Sequence, residues 1–275
     1  MPKIIANDAD AIRLNHFLAQ VGVASRRACD ALISAGRVRV DGKVIRELGT
    51  RVVPGESEIT VDGTRVGSPA RRIVMILHKP RGFVSTVTDP EGRPTVIDLC
   101  RSLGRRQRLF PVGRLDVNTT GALLVTNDGF LCYKLTHPRF GIPRVYEVRV
   151  RGRMDDAQIR RLERMAAEEA RIAERVEAAA AAARPGMRSP RKPRPSVELI
   201  ARKEKEAVLK VTLLEGRNRQ VRKMCEAVGL RIVALKRMSF GPVSVWKLPE
   251  GAVRTLTARE LAKLEQAVGG VKRGH

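Results

Sequence analysis

Residues 113–129 read GRLDVNTTGALLVTNDG. The run ALLVT is β-favouring and is closed by Asn127-Asp128-Gly129, so the stretch reads as a loop leading into a strand. One carboxylate, Asp116, stands in that loop two places after Arg114. Asp, Asn, Thr and Gly cluster where chains reverse, which makes Asp116 a turn residue on one reading. On the other it is a reactive group, because loops at the entry to a sheet commonly carry catalytic side chains. The rest of the chain has to separate the two.

Working outward from this loop, short β-favouring runs recur: IVMIL, FVSTVT, ALLVT, VYEVRV, AVLKVTLL and IVAL. They alternate with turns and a few helices, which predicts an α+β domain over 73–275 with a mixed, mainly antiparallel sheet flanked by helices. EGRNRQVRKMCEAVG (215–229) is expected to be a helix ending at Gly229. Its buried stripe is Val221, Met224, Cys225 and Val228, with Arg219 and Arg222 sharing another face. Residues 155–183 are alanine- and charge-rich and are expected to be helical, with a thin apolar stripe of Leu162, Met165, Ile172 and Val176. RPGMRSPRKPRP (184–195) reads as a flexible basic loop.

Residues 1–66 read as a separate small unit, joined by a linker at 67–72. Leu14, Phe17, Leu18 and Val21 make a helical stripe stopped by Gly22. Ser25 is a natural N-cap for a second helix that is expected to bury Ala28, Leu32 and Ile33 and to stop at Gly36. Arg26 and Arg27 fall in its first turn, where free N–H groups favour a phosphate. The dipeptides Asp41-Gly42 and Asp62-Gly63 mark two hairpin turns.

Lysine and arginine number 53 against 29 acids, a net charge of +24 over 275 residues. Such an excess points to a polyanionic partner. Nucleic acid is favoured over membrane, since no apolar run approaches the roughly 18 residues of a spanning helix. The start MPKIIANDAD carries no apolar signal core, so a cytoplasmic location is expected. Cys29, Cys100, Cys132 and Cys225 form no CxxC pair. His16, His78, His137 and His275 do not complete a ligand set, so no metal site is expected. Aromatic residues are only 3%, which argues against a binder that stacks many bases in succession.

These motifs carry two resemblances. LNHFLAQVGVASRRACDALISAGRVRVDGKVI (14–45) resembles the small S4-like RNA-binding module shared by a small-subunit ribosomal protein and several RNA-modifying enzymes. The likeness implies RNA contacts by Arg26, Arg27, Arg37, Arg39 and Lys43. HKPRGFVSTVTDPEGRPTV, GRLDVNTTGALLVTNDG, YEVRV and LLEGRNRQVRKMCEAVG resemble, in order, the ribosomal RNA pseudouridine synthases of the RsuA/RluB branch. That family turns a uridine of an RNA chain into its carbon-linked isomer.

The resemblance implies that Asp116 is the catalytic aspartate, that Tyr146 packs against the target base and that Arg222 is the ion partner of Asp116. Arg219 is a second candidate partner. Arg114 would fill the gap left by the flipped uridine, and Leu213 would be an apolar wall. Neither a cofactor nor a metal is implied. The expected partner is ribosomal RNA or a pre-ribosomal particle, leaning toward the large subunit, and the expected state is a monomer. Residues 155–205 depart from the family's pattern, which has a short strand pair there. Two other readings stay open on the sequence: a non-catalytic ribosome-binding or assembly factor, and a base-removing enzyme.

Overall fold

The computed structural model describes residues 11–67, 71–102, 108–152, 154–182 and 194–269. The chain separates into two compact units between Arg72 and Ile73.

The first unit contains β1 (Ile12–Arg13), α1 (Leu14–Gln20), α2 (Arg26–Ser34), β2 (Val38–Val40), β3 (Lys43–Ile45), β4 (Arg51–Val52), β5 (Ile59–Val61) and β6 (Thr64–Arg65). Four strands pair in the order β3-β2-β5-β6, and β1 pairs with β4. Asp41-Gly42 and Asp62-Gly63 form the two hairpin turns, with positive φ at all four residues, as such two-residue turns require. The Ser25 hydroxyl accepts from the Ala28 amide and caps α2. From that start, Cys29 and Ile33 point into the core with Leu14, Phe17, Leu18 and Val38. Ala28, expected inside, is exposed and Leu32 is half-buried.

The second unit runs β7 (Val74–Lys79), α3 (Val96–Ser102), β8 (Phe110–Pro111), β9 (Thr120–Thr126), α4 (Gly129–Thr136), β10 (Arg144–Arg151) and α5 (Asp156–Ala182). It continues through β11 (Ser196–Arg202), β12 (Glu206–Leu213), α6 (Gln220–Ala227), β13 (Arg231–Phe240), β14 (Val243–Ser244), β15 (Val253–Thr255) and α7 (Ala258–Ala267). Among the described residues nine strands form one sheet, whose main path is β11-β12-β10-β13-β9-β7-β15. The β13–β9 contact is parallel and the other pairings are antiparallel.

The sheet is buried on both faces at β7 and β9. Met75, Leu77, Leu123, Val125, Val148 and Leu209 face one core with α3, α5 and α6. Val74, Ile76, Ala122, Leu124 and Phe240 face the other with α4 and α7. That is why β7 and β9 read as unbroken apolar runs while β10, whose solvent side is charged, alternates.

Gly121 lets the parallel pair form. A Cβ there would lie 2.2 Å from the Arg237 carbonyl oxygen, at a φ of +110°, so any side chain would part β9 from β13.

Two expected elements differ. FVSTVT makes only an isolated bridge, Val84 to Thr95. Its Ser85 hydroxyl donates to the Leu115 carbonyl (2.9 Å) and accepts from the Leu115 amide (3.1 Å), so the segment braces the loop before Asp116 instead of joining the sheet. Residues 196–202, placed by sequence in the atypical stretch, form β11 and pair with β12. Most of the basic loop at 184–195 lies outside the described residues. Among the described residues no helix is long and apolar enough to cross a membrane.

Candidate active site

Asp116 opens a turn whose Thr119 amide donates to its carbonyl at 3.0 Å. Its backbone makes the turn, and its side chain is left for other contacts. α6 supplies the partner. Arg222 Nε donates to Asp116 Oδ2 at 3.3 Å, and Arg222 Nη2 donates to Thr119 Oγ1 at 3.3 Å. One guanidinium thus spans both ends of the turn. The Asp116 side chain keeps 46% of its exposure and that of Arg222 only 19%, so the cation is the fixed member of the pair and the carboxylate faces solvent. Among the described residues Asp116 Oδ1 has no hydrogen-bond partner.

These two side chains border a cleft of about 280 Å³. Tyr146 and Leu213, on the adjacent strands β10 and β12, face it as buried walls. Arg114 lies on its margin and is exposed. Arg219 also lines the cleft, but it does not share a helical face with Arg222. It sits at the N-cap of α6 with φ +53°, and its guanidinium lies 3.6 Å from Glu226. The carboxylate partner is therefore Arg222, and the expected alternative of Arg219 is corrected by the turn that starts the helix.

Three buried cations at or near the cleft, Lys79, Arg144 and Arg237, are not among the residues singled out from the sequence. The Lys79 ammonium is fully buried and donates to the carbonyls of Pro80 (3.0 Å), Val117 (3.1 Å) and Thr119 (2.9 Å). It ties the Asp116 turn to the end of β7. Burial lowers its pKa to about 8, against the opposing pull of the Asp116 charge.

Arg144 donates to the carbonyls of Leu214 (2.8 Å) and Ile142 (3.2 Å). Burial, reinforced by the Arg237 charge, lowers its pKa to about 10. Arg237 Nε donates to the Ala122 carbonyl at 2.7 Å. The two guanidiniums lie 5.0 and 5.1 Å from the Phe240 ring centre, at cation–π distance.

Arg237 Nη2 and Gln220 Nε2, on residues lining the cleft, are buried with no hydrogen-bond partner among the described residues. A water or a ligand acceptor is the remaining way to satisfy them. Arg144 was legible in principle, because it falls in phase with Tyr146, Val148 and Val150 on the inward side of β10. Nothing in one dimension marks Lys79 as buried.

In the first unit Arg26 and Arg27 open α2 and are exposed, as are Arg39 and Lys43. Arg37 is exposed too, but its fork is closed on Asp62 at 2.7 and 2.6 Å. Among the described residues no group of three His, Cys, Asp or Glu side chains is placed to hold a metal ion.

A turn-borne carboxylate paired with a guanidinium at the border of a cleft, in a chain that also carries a basic two-helix module, defines a class. The chain belongs to the RNA pseudouridylate synthase family, whose model matches residues 73–227. An S4 domain model matches residues 12–57. The chain is similar to an RNA pseudouridine synthase of Aquifex aeolicus, 36% identical over 94% of this chain and 95% of that one. It is also similar to the ribosomal large subunit pseudouridine synthase B of Bacillus subtilis, 37% identical over 92% and 95%. A crystal structure of a pseudouridylate synthase superposes with a TM-score of 0.55 at 26% identity, covering 92% of this chain and 99% of that one.

Proposed function

We propose that this enzyme isomerises a specific uridine of large-subunit ribosomal RNA, with Asp116 as its catalytic carboxylate. The observation that carries the reading is the Asp116–Arg222 pair at the cleft, with one carboxylate oxygen uncommitted. The large-subunit target is supported by the name of the Bacillus subtilis relative.

The chemistry suits so small a set of groups. Cleaving an ordinary sugar linkage takes two carboxylates. Uracil instead leaves with its negative charge spread over two ring carbonyls, so one carboxylate and a positioned cation suffice. The C1′–N1 bond breaks, the base turns over within the cleft, and a C1′–C5 bond forms. The C5 proton departs and N1 gains one, so no water is consumed and no electrons are transferred.

Tyr146 packs on the base and Leu213 walls it in. Arg114 fills the gap in the RNA stack left by the extruded uridine. Arg26, Arg27, Arg39 and Lys43 hold phosphates, positioning the RNA without reading its sequence. Arg37 contributes charge from within its pair with Asp62. The enzyme acts as a monomer, in the cytoplasm and without a nucleotide cofactor.

Ribosomal RNA tritiated at uracil C5 tests this. Wild type should release tritium without free uracil, and Asp116→Asn should be slower by at least about a thousandfold. Release by Asp116→Asn at the wild-type rate would overturn the role of Asp116. Free uracil would indicate base removal, and binding without release by either protein would indicate a binding factor or another target RNA.

A further inference from the structure

Helix α5 carries a feature that the active site does not use. Its inner face is Gln158, Ile159, Leu162, Met165 and Ala166, with Leu162 and Ala166 fully buried. The helix is also pinned by Gln158 Nε2 donating to the Val228 carbonyl at 2.9 Å, just past the end of α6, the helix that carries Arg222. Arg160, Arg161, Arg164, Arg171 and Arg175 are all exposed. At 3.6 residues per turn these five fall within an arc of about 100°, turned away from the buried face.

Among the acids with described side chains, Glu163 and Glu174 lie outside that arc. Glu168 alone lies within it and pairs with Arg171 at 3.5 Å. The arrangement works against the helix: Arg160/Arg164 and Arg171/Arg175 are like charges four apart, and Arg161/Arg164 three apart, spacings that destabilise an isolated helix. Solubility alone does not require one sign on one face.

We infer that this arginine stripe is an RNA-binding surface for the phosphates of a helical segment outside the cleft. The inference rests on RNA being the substrate. From Arg160 to Arg175 the stripe runs about 22 Å at 1.5 Å per residue, too long for one phosphate and suited to several in succession. Guanidinium forks match phosphate oxygens, and α5 holds them on the domain that carries the cleft.

The test uses the full chain and an RNA hairpin with a stem of about 20 base pairs, a length on the scale of known duplex-binding domains. Affinity is measured against potassium chloride concentration. The variant is Arg160→Gln/Arg161→Gln/Arg164→Gln/Arg175→Gln. The control, Lys203→Gln/Lys205→Gln/Lys247→Gln/Arg259→Gln, removes the same charge from exposed positions elsewhere.

Each lost phosphate contact lowers the slope of log affinity against log salt by about 0.7–0.9. The stripe variant should therefore lose about two to three units of slope and at least tenfold in affinity at low salt, with unchanged or higher thermal stability. The control should lose less than one unit. An unchanged slope, or an equal loss in the control, would overturn the proposal. A slope difference in a protein that releases no tritium from ribosomal RNA would count against the catalytic reading or this target RNA and leave the stripe standing. A wild type that does not bind the hairpin would refute the stripe.

Discussion

Two of the molecule's arginine–aspartate pairs, one in each unit, look alike in sequence and differ in structure. In the first unit Arg37 grips Asp62 with two parallel hydrogen bonds of 2.7 and 2.6 Å, using both carboxylate oxygens. In the second, Arg222 reaches Asp116 through one nitrogen at 3.3 Å and spends another on Thr119. The closed pair is a structural clasp from the start of β2 to the β5–β6 turn. Its hydrogen bonds hold Asp62 below the ordinary carboxylate range and Arg37 above the ordinary guanidinium one. The open pair leaves a carboxylate oxygen for a substrate. The same two residue types make a closed fastening or leave a carboxylate oxygen uncommitted according to whether the backbone lets the fork close.

Breaking the open pair should have the largest effect. Arg222→Gln is expected to cost roughly a hundred- to a thousandfold in kcat, in the range for removing a charge-stabilising donor. Melting should hardly move, since a half-exposed ion pair contributes little to stability. Single-turnover tritium release and a thermal melt on the same protein measure both. A kcat within a few-fold of wild type would make Arg222 a structural clasp like Arg37.

A smaller effect is expected at Lys79, which holds the open pair's turn. Below pH 8 its ammonium donates to three carbonyls; above it the neutral amine has two N–H groups, and one carbonyl loses its donor. The kcat should therefore fall several-fold as pH rises through about 8. Unfolding is not the cause. The folded pKa, about 8, lies below the free value of 10.5, so the unfolded chain binds more protons between those values and stability gains from this group as pH rises. Lys79→Met should remove the alkaline limb and show a reduced kcat already at neutral pH. A pH–rate profile for each protein decides the point, and an alkaline limb surviving in Lys79→Met would rule Lys79 out as its origin.

The smallest effect belongs to the closed pair. Asp62→Asn should leave kcat unchanged and lower thermal stability slightly at neutral pH. That difference should fade in acid, because a carboxyl held below its free pKa gives up its contribution as pH falls. A drop in kcat comparable to that of Arg222→Gln would erase the distinction between the pairs.

Legibility followed the range of the interactions. The Ser25 cap, the two Asp-Gly turns and the buried stripe of α6 are set by neighbours within four residues, and they stand where the motifs put them. Arg219 did not follow its helical spacing, because the turn before α6 takes it to positive φ and toward Glu226. FVSTVT has β-favouring composition, yet Ser85 is claimed by Leu115, 30 residues away. β11 was hidden because its pairing with β12 outweighs a weakly patterned, half-exposed sequence.

Sequence alone is enough to show that the chain is basic, that its first unit is a two-helix module with tight hairpins, and that Asp116 stands on a turn before a buried strand. Charge, caps, turns and periodicity are local, and they are written residue by residue. Only the tertiary structure decided which guanidinium meets Asp116, because that contact joins residues 106 apart. It depends on β9 and β13 approaching closely enough that only Gly121 fits between them. The fold also sets that Lys79, Arg144 and Arg237 lie buried, the two arginines in the cleft wall. A cation is held out of water only where carbonyls from distant segments converge on it, and that convergence is a property of the fold.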